Sequence, residues 1–164
     1  MEVPFQRPVH SCGPDLQVVA LGDGVGFIQQ RIQPSAHSLA GVDIHAAFFV
    51  DDDAEKVAIQ LNAKVIVNPS RYESLSLILL ETMSEGKAML VNGRCNVLRE
   101  HCEKSNYAAL YYMNRRDFIR KLHNLENSET LRQQMGEKGR HYVQENYNWE
   151  MIIGRMKNVI QMLS

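Results

Sequence analysis

The chain has 164 residues, of which 45% are hydrophobic and 23% are charged, values typical of a globular protein. This length suffices for one domain with a three-layer α/β core and excludes a pair of Rossmann domains. A net charge of −1, with basic residues dispersed along the chain, offers no electrostatic footprint for binding nucleic acid or an anionic membrane.

The first segment, residues 1–15, contains three prolines and one glycine and is predicted to be a loose leader. It lacks the positive start and apolar core of a signal peptide. No apolar run in the chain approaches the roughly 18 residues that suggest a membrane span. We therefore expect a cytoplasmic protein with a single domain over residues 16–164.

Short apolar runs rich in β-branched residues alternate with longer segments of helical spacing. The predicted strands are 16–21, 43–50, 64–68, 88–92 and 107–112. The predicted helices are 51–61, 75–85, 115–126, 128–146 and 149–163, with a poorly patterned helix within 26–41 that Pro34 interrupts. Such alternation requires parallel pairing with right-handed crossovers, so an α/β domain with a parallel sheet is expected.

The segment after the predicted strand 64–68 is the most informative part of the chain. Pro69 closes the strand, and both Ser74 and Ser76 are suitable N-caps for a helix that ends at Gly86. The backbone N–H groups of residues 75–78 would then be unpaired at the positive end of the helix dipole, which suits a phosphate.

Two glutamates flank this helix start. Glu73 would lie outside the helix and face the region beyond a bound phosphate, whereas Glu81 would lie on the second turn, where it could accept hydrogen bonds from ribose hydroxyls. The alternative interpretation is structural: Glu73 favours the helix dipole and Glu81 is a solvated helix residue.

Two other chemistries have weaker support. Cys95, His101 and Cys102 could suggest zinc ligands, but no second pair with metal-ligand spacing accompanies them, and three cysteines in all do not indicate a disulfide framework. The aspartates at 51–53 follow a strand, as in receiver domains, yet no aspartate before Asp117 could serve as phosphoacceptor. A helix N-terminus explains these acidic residues better.

Four motifs in order resemble one enzyme family. They are Glu73 and Glu81 with seven residues between them, the flanking PSRYE and LLETMSEGK, the later LRQQMG, and the closing YNWE. Together they resemble the retaining nucleotide-sugar glycosyltransferases of family 4, also called group 1. The resemblance covers about residues 22–163 and is densest after residue 64.

The resemblance implies the Rossmann-like, C-terminal donor-binding domain of a two-domain GT-B enzyme. It implies transfer of a sugar from a nucleoside diphosphate sugar with retention of anomeric configuration, and no metal or other cofactor. Glu73 would lie against the donor sugar as the catalytic residue, Glu81 would bind the ribose, and the backbone of Ser74, Leu75, Ser76 and Leu77 would bind the phosphates.

Two further residues are mapped by the resemblance. Gly22 lies in a Gly-Asp-Gly sequence that follows a strand, where backbone could approach the ligand, although a tight turn is the simpler explanation. Arg94 follows the predicted strand 88–92 and could bring positive charge to a pyrophosphate, although a solvated surface role is an equal alternative.

The chain also departs from the family. Ser74-Leu75-Ser76 stands where Gly-Phe-Gly is usual, and neither the basic Arg and Lys pair nor the acceptor-binding domain is found. We therefore expect a truncated or split form that transfers no sugar alone. The alternative is a non-catalytic nucleotide-binding or protein-interaction module derived from a glycosyltransferase.

The last predicted helix carries an apolar stripe. In GT-B enzymes the corresponding segment crosses toward the acceptor domain, so we expect part of the stripe to be uncovered and to bind an acceptor-domain protein or a second copy of the chain. The alternative is that it packs on its own sheet. The stripe consists of Trp149, Ile152, Ile153, Met156, Val159, Ile160 and Leu163.

Overall fold

The computed structural model describes residues 18–22, 37–39, 42–48 and 53–163, with side chains from residue 57 onward. The strands are β1 (Val18–Gly22), β2 (His37–Leu39), β3 (Val42–Phe48), β4 (Val65–Asn68), β5 (Ala88–Asn92) and β6 (Ala109–Tyr112). The helices are α1 (Asp53–Asn62), α2 (Leu77–Ser84), α3 (Asn96–Lys104), α4 (Arg115–Asn127), α5 (Glu129–Asn146) and α6 (Trp149–Leu163).

The described strands form one six-stranded sheet in the order β2-β3-β1-β4-β5-β6. All neighbouring strands pair in parallel except β2, which is antiparallel to β3 at the edge. The chain runs from β1 outward to β3 and then returns past β1 to β4, so the strand order reverses between β1 and β4. The predicted Rossmann-like α/β fold with a parallel sheet is confirmed.

Two apolar clusters on opposite faces of the sheet give the domain three layers. Side chains alternate along a strand, so Ile66 belongs to one cluster while Val65 and Val67 belong to the other. Helices α2 and α3 contribute to the first cluster and α4 to the second. Strands β4 and β5 are buried at every position, as expected for parallel strands covered on both faces.

Apart from α3, the elements after residue 53 match the sequence predictions closely. The predicted strands at 64–68, 88–92 and 107–112 are β4, β5 and β6, and the last three helices differ from α4, α5 and α6 by one residue at most. Strand β2 lies inside the stretch 26–41 that was predicted to contain a helix, and the remainder of that stretch lies outside the described residues. Helix α3 was not predicted.

Helix α2 ends at a glycine that also determines how α5 packs. Gly86 has φ 70°, a left-handed conformation that stops the helix as predicted. A Cβ atom at Gly136 of α5 would overlap the carbonyl oxygen of Gly86, and one at Gly139 would lie 3.1 Å from the carbonyl oxygen of Met83. Two glycines one turn apart therefore allow α5 to approach the backbone of α2.

No helix among the described residues is long and apolar enough to cross a membrane. The predicted leader, residues 1–15, lies outside the described part of the chain.

Candidate functional site

The loop from residue 69 to 76 carries Glu73 and is held by a buried asparagine. Asn68 ends β4 and is fully buried. Its Nδ2 donates to Glu73 Oε1 (3.1 Å) and to Ser76 Oγ (3.4 Å), and its Oδ1 accepts from the Ser70 N–H (2.8 Å). A buried amide is costly unless its polar atoms are paired, so these bonds favour one loop conformation. No role for Asn68 was predicted, although a polar residue ending a buried strand is a usable signal.

Helix α2 begins at Leu77, within the predicted range, but its capping differs from the prediction. Ser76 holds the N-cap position with φ 61° and ψ 73°, in the left-handed region, and its side chain makes no capping hydrogen bond. Ser74 is exposed in the loop and does not cap the helix. The left-handed backbone explains why glycine is usual here in the resembling family, because glycine alone adopts it without steric cost.

The start of α2 leaves backbone donors available. The first backbone bonds of the helix run from Leu79 and Leu80 to the Ser76 carbonyl oxygen, at 3.0 and 3.3 Å. The N–H groups of Ser76, Leu77 and Ile78 have no acceptor among the residues that the structure describes. Donors at the positive end of a helix dipole suit an anion, and the binding of a phosphate by this segment remains a prediction.

Glu81 lies one turn beyond the helix start. It is half-buried, and it shares a helix face with Leu77, four residues earlier, which is 66% exposed. The opposite face carries the buried residues Leu79, Leu80 and Met83. Glu81 therefore lies along the open side of α2, next to the turn that carries the available N–H groups.

The other predicted site residues lie on the same edge of the sheet. Gly22 ends β1 and Arg94 follows β5, and both strands pair in parallel with β4, so their carboxyl ends meet where the Glu73 loop begins. The strand order reverses between β1 and β4. In doubly wound sheets, ligands bind in the crevice at such a reversal.

Two additional residues contribute to this edge of the sheet, one through hydrogen bonds and one through its positive charge. Asn92 ends β5 and donates from Nδ2 to the Pro69 carbonyl oxygen (3.0 Å), while its Oδ1 accepts from the Arg94 N–H (3.1 Å). Burial raises the pKa of Tyr112 at the end of β6, and the nearby positive charge of Arg71 opposes this rise. Arg71 is exposed in the loop that follows β4, at the carboxyl edge of the sheet.

The residues considered as zinc ligands have other surroundings. Cys95 and Cys102 are buried in the apolar cluster beneath α3, and burial raises the pKa of the Cys102 thiol to about 12, which opposes the thiolate that zinc requires. Both ring nitrogens of His101 are hydrogen-bonded within the protein. Among the described residues, no three His, Cys, Asp or Glu side chains converge as a metal-binding group.

Comparison with known families decides the identity of this domain. The family model of the glycosyl transferases group 1 matches residues 9–142, which include Gly22, Glu73, Glu81 and Arg94. The chain belongs to this family.

The fold of this group 1 glycosyltransferase domain is also found among solved structures. Sucrose-phosphate synthase from Thermosynechococcus elongatus superposes with a TM-score of 0.60 at 22% identity, over 72% of this chain and 30% of that chain. The chain thus matches less than a third of that enzyme. A search of curated proteins found no match.

Some of the residues predicted to form the site are close together in the chain, and the others are brought near them by the sheet. Glu73, Ser74, Leu75, Ser76 and Leu77 lie on one continuous turn into α2, with Glu81 one helical turn beyond it. Gly22 and Arg94 join them through strand pairing. The role of each residue toward a donor remains a prediction.

Proposed function

We propose that this chain binds a nucleoside diphosphate sugar at the carboxyl edge of β1, β4 and β5 and forms the donor half of a retaining glycosyltransferase. The observation that carries the proposal is the turn into α2. Three N–H groups without an acceptor among the described residues, those of Ser76, Leu77 and Ile78, lie beside a glutamate that Asn68 holds in place.

These N–H groups would act on the leaving group. When the bond between the anomeric carbon and the phosphate oxygen breaks, the electron pair stays on the diphosphate, and its charge grows in the transition state. Fixed backbone donors stabilise such charge without reorganisation. Arg71 and Arg94 would add positive charge in place of the basic pair that the sequence lacks, since guanidinium groups pair well with phosphate oxygens.

The two glutamates would bind the two ends of the donor. Glu73, on the loop before the phosphate-binding turn, would face the sugar and accept hydrogen bonds from its hydroxyl groups. Glu81, one turn into α2 on the open face, would accept hydrogen bonds from the ribose hydroxyls. We further propose that the transfer proceeds without a metal.

Helix α6 supports the proposal of an additional acceptor-binding domain. It has no buried residue, and its apolar side chains are largely exposed, with Trp149 at 76% and Met156 at 60%. Sucrose-phosphate synthase contains more than three times the length that this chain matches. An acceptor domain packed against α6 would cover this apolar surface.

Titration calorimetry with UDP, GDP and ADP tests donor binding. We expect weak binding of at least one nucleotide and a tenfold to hundredfold loss in Glu81→Ala, because hydrogen bonds to a charged acceptor are worth about 1.5 to 3 kcal/mol. Glu85→Ala, at the far end of the same helix, is the matched control and should bind as the unmodified chain does. Absence of binding at millimolar nucleotide, or equal binding by both variants, would contradict the site.

A turnover assay with UDP and GDP sugars tests whether the chain acts alone. We expect no glycoside product, because transfer requires an acceptor held against the donor in a cleft closed to water. Product formation that Glu73→Gln abolishes would overturn the proposal of a donor half. Nucleotide binding without transfer, even after an acceptor domain is supplied, would instead favour a non-catalytic binding module.

A further inference from the structure

A buried histidine connects the site loop to two other elements of the fold. His101, on α3, is only 6% exposed. Its Nε2 lies 3.0 Å from the carbonyl oxygen of Leu75, in the loop before α2, and its Nδ1 lies 3.0 Å from the hydroxyl of Tyr142 on α5. The rings of Tyr142 and Tyr147 pack against the imidazole, each with its centroid 6.0 Å away.

These contacts define which nitrogen carries the proton when the ring is neutral. A carbonyl oxygen can only accept, so Nε2 must carry a proton to bond Leu75. Nδ1 then has a lone pair in the neutral ring and accepts from the Tyr142 hydroxyl. Burial lowers the pKa of His101, which agrees with a neutral ring. Tyr142, whose pKa burial raises, keeps its proton and remains a donor.

The bond to Leu75 orients the next peptide group. In a trans peptide the carbonyl and the following N–H point in opposite directions, and no described peptide bond is cis. Because the Leu75 carbonyl points to His101 on α3, the N–H of the buried Ser76 points away from α3. Ser76 is also in a left-handed conformation that only surrounding restraints maintain.

We propose that His101 is a positioning residue of the donor site, which holds the Leu75–Ser76 peptide so that the Ser76 N–H faces the donor diphosphate. Tyr142 supports it by fixing the imidazole in the tautomer that donates to Leu75. The inference rests on the proposed function, because His101 would act on the same phosphate-binding turn through its contact with the Leu75 carbonyl oxygen.

Binding measurements on three variants test the effect on the phosphate. His101→Leu should weaken binding of the nucleoside diphosphate about tenfold or more, as expected for loss of a hydrogen bond to a charged group, and should leave binding of the matching nucleoside unchanged. His101→Gln can still donate to Leu75 and accept from Tyr142, so it should restore binding to within about threefold. The affinity of Tyr142→Phe for the nucleoside diphosphate should be intermediate between those of the two His101 variants.

His141→Leu, on the exposed face of α5, is the matched control and should bind as the unmodified chain does. Equal loss of nucleoside and diphosphate binding in His101→Leu, or failure of His101→Gln to restore binding, would contradict positioning. If His101→Leu does not fold, the comparison of nucleotide binding by His101→Gln and Tyr142→Phe still tests the proposal.

A second measurement separates this inference from the proposed function. If the unmodified chain binds no nucleotide, the proposed function fails, and the loop is probed directly. Nitrogen NMR of His101 should show a neutral ring protonated at Nε2 at pH 7, and Tyr142→Phe should increase hydrogen exchange of the Ser76 amide relative to those of α5. A charged ring, or unchanged exchange, would overturn the positioning role.

Discussion

Ser76 adopts a left-handed backbone conformation, with φ 61° and ψ 73°, that costs a residue with a side chain about 1–2 kcal/mol. We expect Ser76→Gly to raise the free energy of unfolding by up to about 1 kcal/mol, because relief of the strain is offset in part by the greater freedom of glycine in the unfolded chain and by loss of the hydrogen bond from Asn68 Nδ2 to Ser76 Oγ. Urea denaturation measures this change. Ser84→Gly, the same substitution within α2, should lower stability by up to about 1 kcal/mol. A loss in both variants would show that the hydrogen bond from Asn68 to Ser76 contributes more than the strain costs.

His101 gives the stability of the domain a dependence on pH. Its pKa lies below the usual 6.5, mainly because burial disfavours the charged ring; the hydrogen bond to Leu75 and the charge of Glu100 oppose this effect, and the charge of Lys104 adds to it. The unfolded chain binds a proton near pH 6.5 that the folded chain does not bind. Stability due to the neutral ring is therefore present above pH 6.5 and is lost as the pH falls toward the lower folded-state pKa.

Denaturation curves of the unmodified chain and of His101→Gln, recorded between pH 5 and 8, test this dependence. The difference in unfolding free energy between the two proteins should be constant above about pH 6.5 and should shift in favour of His101→Gln below it. A difference in unfolding free energy that stays constant from pH 5 to 8 would mean that the pKa of His101 is the same in the folded and unfolded chain.

At the scale of elements, the contact between α2 and α5 depends on Gly136. A Cβ atom there would overlap the backbone carbonyl oxygen of Gly86, which cannot move as a flexible side chain would. We expect Gly136→Ala to destabilise the domain by about 1–3 kcal/mol, the usual cost of overpacking. Thermal unfolding followed by circular dichroism measures it.

Gly154 of α6 provides the matched control for that substitution, because a Cβ atom added there would meet no described atom within 4 Å. Gly154→Ala should stabilise α6 by up to about 1 kcal/mol through helix propensity. Equal melting temperatures for the two alanine variants would show that α5 can shift away from α2 at little cost.

At the scale of the whole molecule, the apolar stripe of α6 should drive self-association when no acceptor domain covers it. Soluble monomers rarely expose apolar patches larger than a few hundred Å². Met156→Glu should reduce association without lowering the melting temperature, since Met156 is 60% exposed. Light scattering after size exclusion measures both proteins. Asn158→Glu adds the same charge on the opposite helix face and should not change association.

A monomer at high concentration whose stability falls sharply with Met156→Glu would show instead that the stripe is ordinary core. The exposure of α6 agrees with the uncovered stripe predicted from the sequence, while the partner that covers it remains a prediction.

Much of the fold was predictable because its signals are local. Strands β4 and β5 are continuous apolar runs, and α4, α5 and α6 carry helical spacing with Asn114 and Ser128 as N-caps that accept hydrogen bonds. Strand β2 was missed because three residues at a sheet edge carry little pattern. Helix α3 was missed because its mostly polar sequence gains helical stability from packing a few buried residues on the sheet.

The sequence by itself determined the α/β class and the family, and it predicted the pair Glu73 and Glu81, since strand runs, motifs and a helix start depend on residues close together in the chain. Only the tertiary structure decided the other features of the proposed site. It gave Ser76 a left-handed backbone in place of side-chain capping, and it joined His101 to Leu75 and Tyr142, 26 and 41 residues away. Such contacts arise from the packing of separate elements, and no local spacing encodes them.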